Sequence, residues 1–363
     1  MKAVVAFFKV GAPWSIIIAL LVLVLAAVPV AAVLGLLSIG LDAVYMNGRL
    51  IRAMGENTWE QQKNFLLIAI PMFILMGEII LRSGIAKRMY NAVAGWLSWL
   101  PGGLMHANIV SCSIFAATSG SSVATAATIG TVAYPEIEEW KYNESLFLGS
   151  IAAGGTLGIL IPPSINMIIY SVLSHTSVVD LYAAGFIPGF LLAVLFSGIV
   201  LLSVMLVPSL VRGDMTEGSL WAARISGLPH LLPPLGLFLV VVGSIYAGLA
   251  TPTEAAALGL IATFALVAAN GQLSLAVVLR AIEGTVRTTS MIMLIIFAAM
   301  ILNIVVGFFG AIQLATEFIG TLGLSPLQLM LWVVVFYLVI GMFMETFSMM
   351  LTTIGVVFPL VTS

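Results

Sequence analysis

Nine residues, Ala117-Thr-Ser-Gly-Ser-Ser-Val-Ala-Thr125, place five hydroxyls around one glycine inside an otherwise apolar stretch. Hydroxyl and carbonyl oxygens are hard, neutral donors suited to an alkali cation. A helix broken at such a point frees backbone amides at one end and carbonyls at the other. Ser119, Ser121 and Ser122 are therefore candidate Na⁺ ligands. Ser122 and Thr125 are also candidate substrate contacts, because the amide end attracts an anion. The plainer alternative is that Ser and Thr here only permit close helix packing in lipid. A second such place is Gly154-Gly-Thr-Leu-Gly-Ile-Leu-Ile-Pro-Pro-Ser164. Its two prolines remove backbone donors and strand the carbonyls upstream. Gly158 and Pro162 join the candidate Na⁺ set, and the amide of Asn166 the candidate substrate contacts; a simple helix kink is the alternative. The third place is Gly341-Met-Phe-Met-Glu-Thr346. Gly341 and Thr346 are candidate Na⁺ ligands there, and Glu345 and Thr346 candidate substrate contacts. An acid at membrane depth is costly and marks function by default. Glu345 has the options of neutralising a cation, relaying a proton, pairing with a lysine on another subunit, or sitting at a wet mouth.

Other chemistry finds little support. No Gly-x-x-x-x-Gly-Lys-[Ser/Thr] run exists, so ATP is not expected as an energy source. His106, His175 and His230 lack metal-like spacing, and no Ser/His/Asp constellation occurs, so the chain is not read as an enzyme. Cys112 is the single cysteine, which forbids an intrachain disulfide. Glu254 reads as a helix-start residue beside a capping Thr251 or Thr253. The methionines of 342–350 read as adaptable packing. A net charge of −2 with no basic run beyond two residues gives nucleic acid no purchase.

The elements that must hold these residues follow from composition. The chain is 61% hydrophobic and 8% charged, against about 25% charged in soluble domains. Continuous apolar runs, rather than strict alternation, predict an all-α polytopic membrane protein. Spans are expected near 15–39, 64–83, 144–174, 181–211, 229–250, 254–270 and 288–312, with an interfacial helix in the charged 40–63 loop. The stretches 106–134 and 327–361 are too long for one span and are broken near their centres. They read as re-entrant helical hairpins, whose irregular tips survive only inside protein or beside water. If each hairpin returns to its own side, ten Lys/Arg fall on the face of the N-terminus and three on the other. That asymmetry puts the N-terminus in the cytoplasm.

The chain also repeats itself. Gly84 pairs with Gly310, Pro101–Met105 with Pro326–Met330, and Thr128–Pro135 with Thr353–Pro359. Five crossings lie between the hairpins, so the repeats are expected to be inverted. Inverted repeats with broken helices are the build of an alternating-access secondary transporter. A channel would show charge rings or a carbonyl filter, and neither is present; a structural membrane scaffold is the remaining alternative.

Four motifs in order, Pro71-Met-Phe-Ile-Leu-Met-Gly-Glu78, Ser119-Gly-Ser-Ser122, Gly154–Ser164 and Thr251-Pro-Thr-Glu-Ala-Ala-Ala257, resemble the large membrane subunit of tripartite ATP-independent periplasmic (TRAP) transporters. The resemblance implies an elevator-type, Na⁺-coupled importer of an organic anion such as a dicarboxylate, keto acid or sialic acid. It implies a bacterial inner-membrane location and two partners, a small four-helix membrane subunit and a periplasmic substrate-binding protein. A self-sufficient dicarboxylate or citrate symporter is the alternative within transport. On this reading residues 1–63 are scaffold, 64–180 a first transport repeat, 181–287 scaffold spans, and 288–363 a second transport repeat. The first repeat continues past its hairpin, so by symmetry about 65 further residues are expected after 363.

Overall fold

Glycine, proline and capping hydroxyls cut the apolar sequence into helices, and the cuts decide which backbone groups meet. The computed structural model describes residues 22–23, 26, 28–46, 48–50, 54–55, 59, 63–211, 220–308, 310, 317, 323–342, 344 and 346–362. Among these the regular structure is helical, with no strand and one isolated bridge, between Tyr142 and Val211. Five helical stretches are long and apolar enough to cross a membrane: Phe65–Arg82, Val178–Leu206, Arg224–Tyr246, Pro252–Ala269 and Leu275–Val305.

The chain divides into two compact units. Phe65–Thr289 forms one; Met1–Asn64 with Ser290–Ser363 forms the other. In the first, α2 (Ala69–Arg82) turns at Gly84 into α3 (Ile85–Leu97), followed by α4 (Gly103–Ser119), α5 (Ser122–Ala133) and α6 (Glu144–Thr156). A short 3₁₀ turn, Leu157–Ile159, leads through Pro162-Pro163 to α7 (Ile165–Ser174) and then the long α8 (Val178–Leu206). After α9 (Leu220–Gly227) and α10 (Leu232–Phe238) come α11 (Pro252–Ala269) and α12 (Leu275–Phe308). In the second unit stand α1 (Val30–Leu41), the end of α12, α13 (Pro326–Gly341) and α14 (Thr346–Thr362).

Some elements lie outside the expected spans. The stretch 82–103 carries no expected span and counts with the face of the N-terminus. It contains α3, which buries Ile85, Ala86, Met89, Tyr90, Ala92, Val93 and Ala94. That is one amphipathic face at helical spacing, with Lys87 and Asn91 left exposed. Residues 275–287 were also expected outside a span. They are the first turns of α12, started by Ser274, whose Oγ accepts from Val277 N at 3.3 Å. The sequence there holds no proline to stop the helix sooner. Asp42, one of the acids that offset Arg49, Arg52 and Lys63 in the charged 40–63 loop, is a buried group. It is 3% exposed and accepts from Leu50 N at 2.9 Å. Residues 15–21 of the first expected span, most of the 47–62 loop and Glu345 lie outside the described residues.

Some positions paired in the sequence have the same local geometry. Gly84 and Gly310 both adopt left-handed backbone, with φ 72° and 61°. Thr128 and Thr353 both donate to the carbonyl four residues back, at 2.7 and 2.8 Å. Both long apolar stretches are interrupted, at Gly120-Ser121 and between Gly341 and Thr346.

Candidate functional site

The first break is built from two short-range signals. Gly120 ends α4 with φ 63°, a conformation that costs other residues energy, and its N–H still reaches Ala116 O at 2.9 Å. Ser121 is extended, and its Oγ accepts from Ala124 N at 3.3 Å, the N-cap that starts α5. Around this turn Ser119 Oγ and Thr125 Oγ1 lie 3.0 Å apart, and Thr125 Oγ1 donates to Ser121 O at 2.7 Å. Ser119 and Thr125 are buried, whereas Ser121 and Ser122 are half-buried. The hydroxyl cluster is thus partly a self-bonded turn, with Ser121 and Ser122 at its open side.

The second break follows α6. Pro162 has no N–H to offer the Gly158 carbonyl, and Pro163 none to offer that of Ile159. Ser164 Oγ donates to Ile159 O at 2.6 Å and accepts from Met167 N at 3.5 Å, so one side chain both replaces a missing donor and caps α7. The Gly158 carbonyl receives no such replacement from Ser164.

The two breaks meet. Ile165 N donates to Gly120 O at 3.1 Å, a backbone bond from the start of α7 to the turn between α4 and α5. A Cβ on Gly120 would stand 2.7 Å from Pro163 O. A Cβ on Gly158 would stand 2.9 Å from the carbonyl carbon and oxygen of Ser121 and from Ser122 N. Gly155 meets Ala126 in the same manner, at 2.7 Å. Helix α2 also closes in: a Cβ on Gly77 would stand 3.0 Å from the Ser119 Cβ. Ser119, Ser121, Ser122, Thr125, Gly158 and Pro162 therefore converge on one crossing of backbones. Asn166 is buried in the first turn of α7 beside it. Gly341 and Thr346 belong to the other unit's break, at the end of α13 and the start of α14. There α13 and α14 are tied by Tyr337 and Thr353, whose hydroxyls lie 2.8 Å apart. A Cβ on Gly355 would stand 3.0 Å from Asn303 Oδ1 of α12.

Such a crossing, in a chain of membrane-length helices, has a family to compare with. The model of the tripartite ATP-independent periplasmic transporter, DctM component, matches residues 17–363. The chain belongs to this TRAP large-permease family. It is 32% identical over 313 residues to the C4-dicarboxylate TRAP transporter large permease protein DctM of Pseudomonas aeruginosa, covering 85% of this chain and 72% of that protein. It is 33% identical to the ectoine/5-hydroxyectoine TRAP transporter large permease protein UehC of Ruegeria pomeroyi, over 82% of this chain and 69% of the relative. The sialic acid TRAP transporter large permease protein SiaM of Vibrio cholerae is 29% identical over 82% of the chain and 69% of its own length. The TRAP permease is a multi-pass, all-α membrane protein and a transport component.

Two features, one in the site and one beside it, were missed from sequence. Gly77 was quoted only within a motif, yet it brings α2 into backbone contact with the hydroxyl turn. The buried polar residues Asn108 and Ser150 were passed over inside apolar runs. A polar residue on an otherwise apolar helix, four residues before a small one (Asn108 and Cys112, Ser150 and Gly154), was the available signal.

Proposed function

We propose that this TRAP permease is the membrane pathway of a Na⁺-coupled importer, moving an organic anion delivered by a periplasmic binding protein. A small membrane subunit completes the complex in the bacterial inner membrane. The observation that carries the reading is the crossing of the two breaks. It sets Gly158 against the backbone of Ser121 and Ser122, whose neutral oxygens, with the Gly158 carbonyl, are the candidate ligands, while no group of three His, Cys, Asp or Glu that could hold a metal occurs among the described residues. Neutral hydroxyls and unwound carbonyls suit Na⁺ better than a transition metal. The start of α7 and the start of α5 add amide dipoles that favour a carboxylate once the cation is bound. In this reading the breaks are hairpin and broken-helix tips at membrane depth, and the repeats alternate access in an elevator motion. Gly341, Glu345 and Thr346 supply the second cation and substrate contacts. Relatives named for C4-dicarboxylates and sialic acid support an organic anion. A relative named for ectoine supports a zwitterion as the second reading.

The test is uptake into liposomes holding the permease with its small subunit and binding protein. A C4-dicarboxylate, sialic acid and ectoine are offered in turn, each with its binding protein. Import is expected only with Na⁺ higher outside and without ATP. Undiminished uptake in Na⁺-free buffer overturns the coupling, and uptake of ectoine alone replaces the anion with the zwitterion.

A further inference from the structure

One buried polar chain runs through three helices close to the crossing without taking part in it. Tyr90 OH of α3 donates to Asn108 Oδ1 of α4 at 2.9 Å. Asn108 Nδ2 donates to Ser150 Oγ of α6 at 2.9 Å, and Ser150 Oγ donates to Phe147 O at 2.6 Å. The three side chains are 1%, 0% and 4% exposed, so their donors and acceptors have no water to fall back on. All the bonds run in one direction, each oxygen or nitrogen passing a hydrogen to the next.

The position of this chain along α6 gives it a further role. From Ser150, the residues facing α4 and α5 recur at four-residue spacing, one helical turn apart. Ser150 is bonded to Asn108, a Cβ on Gly154 would stand 3.0 Å from Cys112, and a Cβ on Gly158, in the 3₁₀ turn that follows α6, would stand 2.9 Å from the backbone of Ser121 and Ser122. Gly154 presents no knob to a groove, so its contact with α4 does not fix α6 lengthwise. Smooth apolar contact of this kind does not choose a register. Only the hydrogen bonds do, because slipping α6 by one turn would strand Asn108 in an apolar wall. The base of the same hairpin is held independently. Tyr142 OH accepts from Leu104 N at 3.2 Å near the start of α4, and the ring of Tyr142 meets Phe147 edge-on at 5.4 Å. Burial raises the pKa of Tyr142, so it stays a neutral phenol.

We propose that Tyr90, Asn108 and Ser150 are positioning residues. They form a clasp that sets the register of α6 against α4 and so holds Gly158 opposite Ser121 and Ser122. The clasp touches neither ion nor substrate. Its consequence for transport rests on the cation reading above, but its geometry does not.

The single cysteine, Cys112, lies in the seam between clasp and crossing and is fully buried against Gly154. Its alkylation by a membrane-permeant maleimide reports opening of that seam. Tyr90→Phe removes one hydroxyl and keeps the ring; Ser150→Ala removes the other link. Loss of one buried hydrogen bond is expected to speed Cys112 alkylation in the intact complex by about fivefold in each variant. The Na⁺ concentration for half-maximal uptake should rise by a similar factor, with the maximal rate largely kept. A role in packing alone would lower the maximal rate through loss of folded protein and leave the Na⁺ dependence in place. Unchanged Cys112 rates in both variants overturn the clasp. Faster alkylation with unmoved Na⁺ dependence overturns its positioning role, provided Ser121→Ala does shift that dependence. Should Ser121→Ala and Ser122→Ala both leave it unmoved, the cation reading is what fails, and the Cys112 rates alone decide the clasp.

Discussion

Replacing Gly158 by alanine adds one methyl group at the closest approach of the two breaks. The new Cβ would stand 2.9 Å from three backbone atoms, Ser121 C, Ser121 O and Ser122 N. None can rotate away as a side-chain end does, so the turn and the 3₁₀ segment must separate by roughly half an ångström or more to reach ordinary contact. The Ile165 N to Gly120 O bond, already 3.1 Å, would stretch to the limit of hydrogen bonding. Overpacking of this kind costs about 1–3 kcal/mol, and loss of the bond about another 1 kcal/mol. Gly149→Ala is the matched control. Gly149 lies on α6 with nothing within 4 Å of its Cβ position, so alanine there should stabilise the helix by up to about 1 kcal/mol. The assay is thermal unfolding of the purified complex in detergent, followed by Na⁺-dependent uptake of the same variants in liposomes. Gly158→Ala should melt lower and need several-fold more Na⁺, while Gly149→Ala should do neither. Equal behaviour of the two variants would refute the claim that backbone contact at the crossing matters.

Three further variants have expected outcomes. Ser122→Ala should raise the half-saturating Na⁺ concentration several-fold, as loss of one ligand worth about 1 kcal/mol predicts. Ser121→Ala should do so and also lower stability by about 1 kcal/mol, because its Oγ caps α5; equal unfolding temperatures for the two variants would remove the cap from the account. Gly284→Ala brings a methyl to 2.6–2.7 Å from the Glu78 carboxylate, a clash tighter than that at Gly158. Here the obstacle is the end of a flexible side chain paired with Arg82 at 2.8 Å. It can swing aside at the loss of a partly exposed ion pair, about 1 kcal/mol or less, and an unfolding shift as large as that of Gly158→Ala would contradict this.

The sequence by itself determined where the helices break. A left-handed glycine followed by a serine cap, and two prolines followed by another serine cap, are local features. They needed no tertiary partner to be read at Gly120-Ser121 and Pro162–Ser164. Composition determined the all-α membrane class in the same direct way, because 8% charge leaves no surface for water. Glu254 at a helix start beside a capping threonine was likewise legible, and the structure makes Thr251 rather than Thr253 the cap, in a capping box with Glu254. What only the tertiary structure decided is which break meets which. Spacing groups Gly158 with Ser121 and Ser122 as halves of one candidate ion site but gives no contact between them, and no pattern groups Asn108 with Ser150, 42 residues apart. In a soluble protein the apolar stripe of each helix would have pointed to its partners. In a chain apolar on nearly every face, as along α4 and α6, periodicity names no inward side. Small residues and buried hydrogen bonds choose the contacts instead, and their pairing exists only once the helices are packed. The amphipathic α3 carries no expected span for the opposite reason: Lys87, Arg88 and Asn91 interrupt its apolar residues, so no continuous apolar run marks it.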